Sequence, residues 1–276
     1  MNGCRPGFGG KEDQGSAARL RAIFLTTQND DALFEELVSA SSALGVPLND
    51  QQVGEVKTFC QLIIEYSSHT NIVGKAETSV LLQDHVLDSL ALVPFLLKAN
   101  SGNGAGKLID VGSGAGFPAI ILSIALPQAQ VLLIESAGKK CRFLEQAVKT
   151  LKLKDRVTVL SARAEEVGHD LDYRGRFDWG TARAVGTFDM TAELVMPFLR
   201  IGGYFFAQKS FAQKEEEAYR AKKSLPLLGG KLSDVRTLDE TILGKSRILL
   251  IAEKKEITPA PFARVFTKIK SEPLVK

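Results

Sequence analysis

The 276-residue chain predicts an α/β protein, in which a Rossmann-like, doubly wound sheet ends in an antiparallel hairpin and follows a small helical region. From residue 107 onward, short apolar runs typical of buried strands alternate with segments of helical periodicity, which indicates a mostly parallel sheet covered on both faces. The last two apolar runs have no long helix between them, so we expect them to pair antiparallel. Ahead of this alternation only helical periodicity is present.

The first hundred residues predict a helical region behind an irregular extension. Residues 1–28 mix several glycines with polar residues without periodicity, so we expect them to be disordered. Helical spacing of apolar residues predicts three helices, at 31–43, 50–68 and 79–97. The glycine-rich stretch 100–106 is typical of a linker. We therefore divide the chain into 1–28, a helical region 29–100 and a sheet domain 101–276.

The sheet domain alternates strands and helices. Strands are expected at 107–111, 130–134, 156–160, 177–181, 204–208, 231–237 and 247–253. Helices are expected at 117–126, 137–151, 189–199 and 214–224. The run 200–203, with two glycines, indicates a stop signal for the third of these helices.

The most informative stretch is the turn after the first predicted strand. Glycines at alternate positions let the backbone bend tightly and bring a ligand against main-chain N–H groups at a helix N-terminus. The second strand ends in Glu135, where open α/β folds place an acid that binds ribose hydroxyls. This pattern predicts an adenosine-containing cofactor. The candidate cofactor-binding residues here are Asp110, Gly112, Ser113, Gly114, Gly116, Phe117 and Glu135.

Glycine spacing and the position of Asp110 distinguish between two such cofactors. The dinucleotide fingerprint is G-x-G-x-x-G, with a turn open to a pyrophosphate, whereas this chain has G-x-G-x-G. A carboxylate two residues before the first glycine would repel a pyrophosphate but attract a cationic amino-acid group. S-adenosylmethionine carries an ammonium and a sulfonium and no phosphate, so the charges favour it over NAD. A tight turn without any ligand is the alternative for the glycines alone.

Composition limits the class of protein. We find no apolar stretch that approaches the roughly 20 residues of a membrane span, and no secretory signal pattern at the N-terminus. Three widely spaced cysteines without a CxxC motif favour neither a disulfide framework nor a zinc site. We therefore expect a protein of the reducing cytoplasm, without a metal and without a membrane partner.

The net charge of +3 is unevenly distributed. Residues 1–100 hold 7 Lys/Arg and 12 Asp/Glu, which gives −5, and residues 101–276 hold 28 and 20, which gives +8. A basic domain favours a polyanionic partner, although solvated surface lysines would give the same counts. Candidate phosphate contacts are Lys139, Lys140, Arg142, Lys209, Lys214, Lys222, Lys223 and the basic residues of 254–276.

Further motifs follow in a specific order and spacing. They are Asn71; His85 with Asp88-Ser89; the run from Asp110 to Pro118; Glu135-Ser136; Lys139-Lys140 with Phe143-Leu144; Arg163-Ala164-Glu165; Arg183-Ala184; and Lys209. Over about residues 49–276 the chain resembles the bacterial ribosomal RNA small subunit methyltransferase G family, also called glucose-inhibited division protein B. Ala119 and Ser210 stand where the family usually has glycine, and residues 1–48 have no recognised counterpart.

The resemblance implies a class I S-adenosylmethionine-dependent methyltransferase fold. It implies transfer of a methyl group to N7 of one guanine in the decoding-site loop of 16S ribosomal RNA. It places Glu135 on the cofactor ribose and Ala164 and Glu165 beside the adenine. Arg183, which also counts among the cofactor-binding residues, and Lys209 are the expected catalytic positioning groups.

The implied chemistry needs no general base, because guanine N7 has a free lone pair and loses no proton on methylation. Rate would come from alignment of the reacting atoms and exclusion of water, and we expect His85 to be structural. The partner would be 16S ribosomal RNA or the small subunit, bound by a monomer, with the guanine in a loop or flipped out. Two alternatives stay open: a methyltransferase of the same fold acting on a small molecule or protein, and a non-catalytic protein that binds cofactor or RNA.

Overall fold

The computed structural model describes residues 29–99, 104–183 and 185–276. The extension that we predict to be disordered, 1–28, and most of the predicted linker lie outside the described residues.

Within the described part of the chain, four helices precede the sheet. They are α1 at Asp30–Ala43, α2 at Asp50–Ser67, α3, which begins at Thr78–Leu81, passes through a π-helical turn at Leu82–Leu87 and ends at Asp88–Leu90, and α4 at Val93–Ala99. A capping box starts α2, because Asn49 and Gln52 bond each other's backbone N–H groups. The single helix predicted at 79–97 is wrong. It breaks between α3 and α4 at residues that stay buried, so the apolar pattern continues through the break.

The segment Thr78–Ala99, which comprises α3, the break after it and α4, is long and apolar enough to cross a membrane by length and composition. The expectation that no apolar stretch approaches that length is therefore wrong by this measure. In the structure 61% of its apolar window is buried inside the protein. Burial of this extent is what the core helix of a globular domain shows.

The strands of the described residues form a single sheet. Their bounds are β1 Lys107–Val111, β2 Gln130–Glu135, β3 Val157–Ser161, β4 Phe177–Thr181, β5 Leu199–Ser210, β6 Gly230–Thr237 and β7 Arg247–Lys254. Their order is β3-β2-β1-β4-β5-β7-β6. The first five strands are parallel, and β7 pairs antiparallel with β5 and β6. The predicted sheet with its terminal antiparallel hairpin is confirmed. The strand order reverses between β1 and β4, the point where open α/β sheets bind ligands.

Helices cover both faces of the sheet. They are α5 Ala119–Ala125, α6 Gly138–Thr150, α7 Ala164–Val167, α8 Phe188–Val195, α9 Lys214–Ser224, α10 Glu240–Leu243 and α11 Phe266–Ser271. The stop signal predicted at 200–203 is wrong, because these residues belong to β5. A Cβ on Gly203 would lie 3.0 Å from the carbonyl oxygens of Phe177 and Asp178. Glycine there allows the close approach of β5 to β4.

The helical region and the sheet share one core. Phe59 of α2 lies 5.2 Å from Phe117 and 6.3 Å from Phe143, measured between ring centroids. The side-chain amide of Gln52 donates to the carbonyl of Ile124 at the end of α5. The helical region therefore packs directly on the helices that follow the glycine turn, and its α3 reaches the carboxyl edge of the sheet.

Candidate active site at the carboxyl edge of the sheet

A buried acid lies at the point where the strand order reverses. Asp110 of β1 is 1% exposed, and its Oδ1 accepts a hydrogen bond from Thr181 Oγ1 of β4 at 2.8 Å. Its Oδ2 is buried and has no hydrogen-bond partner among the described residues. Burial raises the pKa of this carboxyl to about 7. An unsatisfied carboxylate oxygen in this position is suited to a cationic ligand.

Glu135, at the end of β2, holds the glycine turn. Its Oε2 accepts the N–H of Gly114 at 2.9 Å, and its Oε1 accepts the N–H of Ala137 at 2.8 Å, just before α6. Gly112, Gly114 and Gly116 all have positive φ, which explains why this turn contains glycine at alternate positions. The predicted ribose-binding acid thus also fixes the shape of the turn.

A small cavity of about 110 Å³ adjoins the ends of β1 and β2. It brings together Gly112, which the glycine pattern assigns to the cofactor, and Ala164 and Glu165, which the family resemblance assigns to it. It also contains two residues that sequence reasoning missed, Leu194 of α8 and Phe266 of α11. Their positions depend on how distant segments dock, and neither belongs to a recognisable motif.

A large cavity of about 740 Å³ opens between α3 and the ends of β4 and β5. Arg183 and Lys209, the two predicted catalytic residues, both line it. The other lining residues are Asp84, His85, Asp88, Gly186, Thr187, Gln208, Ser210, Gln213, Glu217, Lys245 and Arg247. The loop after β4 borders both cavities, because Val185 lines the small cavity and Gly186 lines the large cavity.

Asp88 organises the cations of the large cavity. It is 1% exposed and lies 3.5 Å from Arg183 Nη1, 3.6 Å from Lys245 Nζ and 3.6 Å from Arg247 Nε. The amide of Gln208 donates to the Asp88 main-chain carbonyl at 2.5 Å. One buried acid therefore keeps three cationic side chains at the cavity wall. The sequence indicated Asp88 only through its motif, and Lys245 and Arg247 carried no signal.

Arg183 is held by aromatic and imidazole rings. Its guanidinium lies 5.5 Å from the ring centroid of Phe117, and the ring of His85 stacks on Phe117 at 4.8 Å. Arg183 Nη2 donates to His85 Nδ1. Because a guanidinium only donates, His85 must be neutral to accept this bond. Burial, followed by the charge of Arg183, lowers the pKa of His85 to about 4, which agrees with a neutral ring.

Lys209 is held in an ion pair. Its Nζ lies 3.2 Å from Glu217 Oε1 and also donates to the carbonyl of Gly186. Glu217 Oε2 accepts the N–H of Phe188 at the start of α8. Burial lowers the pKa of Lys209, and Glu217 opposes this effect. An ammonium has three donors, so one donor of Lys209 remains for a ligand.

The predicted phosphate contacts differ in accessibility. Lys139, Arg142, Lys222 and Lys223 are exposed. Lys254 of β7 is 2% exposed and donates to the Met196 and Leu228 carbonyls, so it cannot contact a phosphate from this position. Arg264 is paired with Glu193 at 2.7 Å. In the described part of the chain no group of His, Cys, Asp and Glu is arranged to hold a metal ion.

Comparison with known proteins gives a consistent result. The sequence profile of the rRNA small subunit methyltransferase G family matches residues 52–246. Ribosomal RNA small subunit methyltransferase G of Acetivibrio thermocellus is 33% identical over 238 residues, covering 86% of this chain and 95% of that protein. The protein of that name from Dehalococcoides mccartyi is 38% identical over 229 residues, covering 83% and 94%.

Among solved structures, the chain is similar to M. jannaschii TYW2 in complex with AdoMet. The sequence identity is 19% and the TM-score is 0.43, with 59% of this chain and 75% of that chain covered. By the profile match and the identity to full-length relatives, the chain belongs to the rRNA small subunit methyltransferase G family.

Proposed function

We propose that the protein transfers a methyl group from S-adenosylmethionine to N7 of a guanine in the decoding-site loop of 16S ribosomal RNA. The observation that carries the proposal is the arrangement of the two cavities around the loop after β4. The small cavity contains three of the residues expected at the cofactor, Gly112, Ala164 and Glu165, and the large cavity contains Arg183 and Lys209. A methyl donor and an anionic acceptor strand could therefore meet at this loop.

The residues present fit S-adenosylmethionine. The unpartnered Oδ2 of Asp110 would hold the ammonium of the cofactor, and the turn with Glu135 would hold the ribose. Ala164 and Glu165 would border the adenine in the small cavity. The glycine turn beside the cofactor would be shaped by Ser113, Gly116 and Phe117. Arg183 would bind the carboxylate of the cofactor or a phosphate. The bound cofactor supplies the methyl group.

The side chains of the large cavity would position the guanine rather than remove a proton. Arg183, Lys209, Lys245 and Arg247 are cations that could bind the phosphates of a flipped-out nucleotide. Methylation of N7 leaves a positive charge on the base. Asp84 lines the cavity and pairs with Lys245 through Oδ1 at 3.0 Å, and its other oxygen would stabilise that charge as it develops. Neutral His85 would hold Arg183 in place.

The proposed partner is 16S ribosomal RNA or the small ribosomal subunit. Exposed cations at the start of α6, Lys139 and Arg142, lie after β2 at the same edge of the sheet as the two cavities. They could bind the strand that flanks the target guanine. We infer that the protein acts as a monomer in the cytoplasm, where ribosomal RNA is assembled, and without a membrane partner.

A labelled-methyl assay over several acceptor classes tests the proposal. Purified protein would be incubated with S-adenosylmethionine labelled on the methyl group and, separately, with unmodified small-subunit RNA, large-subunit RNA, transfer RNA, ribosomal proteins and a small-molecule extract. Label in small-subunit RNA alone is expected, with a steep decrease as salt is added. Label in proteins or small molecules instead would mean that the substrate is not ribosomal RNA. Cofactor binding without any label would favour a non-catalytic role.

A further inference from the structure

The segment that follows β7, residues 255–276, is named the C-terminal tail here. It lies beyond residues 52–246, the part matched by the family profile. The tail returns to the cofactor side of the sheet, where Phe266 of α11 lines the small cavity together with Gly112, Ala164 and Glu165. Among the segments that line this cavity, the tail is the farthest along the chain from the glycine turn.

The tail is anchored by a buried ion pair. Glu193 of α8 is 0% exposed, and it accepts three hydrogen bonds from Arg264. The Arg264 main-chain N–H and Nε donate to Oε1 at 3.0 and 2.7 Å, and Nη2 donates to Oε2 at 2.7 Å. Without Arg264, Glu193 would be an uncompensated buried charge, which is strongly unfavourable. The pair therefore fixes where the tail lies.

Additional contacts hold the tail close to α7. Arg174 donates to the main-chain carbonyls of Thr258, Pro259 and Phe262 at 2.8, 3.1 and 2.8 Å. His169 contacts the Ala263 carbonyl at 2.7 Å. Both Arg174 and His169 come from the connection between α7 and β4, so the tail is attached to the segment that follows Ala164 and Glu165.

The tail also binds one of the predicted adenine-site residues. The N–H of Phe266 donates to Glu165 Oε1 at 3.3 Å. A carboxylate can accept through either oxygen, so Oε2 of Glu165 could still accept a hydrogen bond from a ligand. The tail thus both closes one wall of the small cavity and orients an acid within it.

We propose that the C-terminal tail completes the adenosine pocket, with Phe266 as a positioning residue for the adenine. The ring of Phe266 supplies an apolar wall on which a purine can pack, and its N–H orients Glu165. This inference rests on the proposed function, which puts the adenine of S-adenosylmethionine in the small cavity. Because linkage is reciprocal, cofactor binding and docking of the tail stabilise each other.

Calorimetric titration of the full-length protein with S-adenosylmethionine tests the inference. Phe266→Ala is expected to raise Kd by about tenfold through loss of the aromatic contact. Val265→Ala is the matched control, because Val265 is the neighbouring residue and is 67% exposed. In methyl transfer, Phe266→Ala should raise the KM for the cofactor and leave kcat at saturating cofactor unchanged, a separation that general loosening of the fold would not give.

Limited trypsin digestion gives a second readout that does not depend on turnover. Lys268 and Lys270 are exposed on α11, and the cofactor should slow cleavage there in the wild type but less in Phe266→Ala. The inference would be overturned if the wild type binds S-adenosylmethionine and Phe266→Ala has the same Kd. It would also be overturned if the cofactor does not affect cleavage of the wild type. Either result would leave the proposed function standing. A wild type that does not bind S-adenosylmethionine would overturn both.

Discussion

The three glycines of the turn are subject to different physical constraints. An added Cβ would lie 2.8 Å from Val185 Cγ2 at Gly112 and 2.7 Å from Ile120 Cγ1 at Gly116. At Gly114 the same atom would meet only the Gly112 carbonyl, at 3.8 Å. Space therefore does not exclude a side chain at Gly114. The constraints there are the φ of 59° and the charge of Glu135, which accepts the Gly114 N–H.

Gly114→Asp should abolish measurable binding of S-adenosylmethionine, because it adds a negative charge beside Glu135 and disturbs the turn. Gly114→Asn is the matched control. Asn has the same shape and also tolerates a left-handed backbone, so it should retain most of the binding. Calorimetry on both variants separates charge from shape. Undiminished binding by Gly114→Asp would show that the turn is not part of the cofactor site.

Asp110 predicts a pH dependence of cofactor affinity. Its pKa in the free protein is about 7, above the ordinary value of 3.8, so below pH 7 it must lose a proton before it can pair with the cofactor ammonium. Affinity should therefore rise as pH increases from 5.5 to 7 and fall again above about pH 8, where the cofactor ammonium loses its proton. Asp110→Asn should bind weakly at every pH. An affinity that does not change with pH in the wild type would contradict this role.

Arg183→Ala should reduce methyl transfer by about 100-fold or more with the fold intact. The fold should persist because Asp88 keeps Lys245 and Arg247 as partners. Arg176→Ala is the control, since Arg176 is exposed and precedes β4, at the opposite end of that strand. Steady-state kinetics and thermal unfolding of both variants check the prediction. Full activity of Arg183→Ala would exclude Arg183 from the site.

At the scale of elements, the strands are the part that sequence predicts best. Each predicted strand core is present, and the apolar runs of β1, β2 and β4 are buried on both faces, as expected for a parallel sheet covered by helices. The start of β5 is missed, because Gly202 and Gly203 indicate a helix end as strongly as a close strand contact. The π-helical turn of α3 is also missed. It places Asp84 and His85 at the large cavity, and no residue type in the sequence predicts such a turn.

Some residues of the candidate site could likewise be predicted from the sequence, and others could not. Arg183 and Lys209 could be assigned to one site through the family resemblance, and both lie at the carboxyl ends of parallel strands, β4 and β5, which meet at one edge of the sheet. Lys245 and Arg247 could not, because they belong to the antiparallel hairpin and their position follows from its pairing with β5. Phe266 could not either, since a buried pair between Arg264 and Glu193 determines where the tail docks.

At the scale of the whole molecule, the helical region is part of the site as well as of the core. It supplies Asp84, His85 and Asp88 to the large cavity, while its helices pack on the turn that follows β1. The cavity therefore exists only when both parts of the chain are folded together.

Asn29 caps α1 by accepting the N–H of Asp31 at 3.0 Å, so the first helix does not need residues 1–28 for its cap.

Deletion of residues 1–28 should leave methyl transfer and thermal stability unchanged, because the cap of α1 is retained. A longer deletion, of residues 1–31, removes Asn29 together with the pair between Lys57 and Asp31. It should lower the free energy of unfolding by about 1 kcal/mol. Thermal unfolding and kinetics of the two truncated proteins check this. A large loss of activity in the shorter deletion would mean that the extension helps to bind RNA.

The central claim is that one guanine of small-subunit RNA is methylated at N7. Its most direct test is to methylate unmodified small-subunit RNA with this protein and S-adenosylmethionine and to cleave the product by chemistry specific for N7-methylguanine. One new cleavage site, in the decoding-site loop, is the predicted result, and RNA with 7-deazaguanine at that position should accept no methyl group. Incorporated label without such a cleavage, or cleavage elsewhere in the RNA, would contradict the claim.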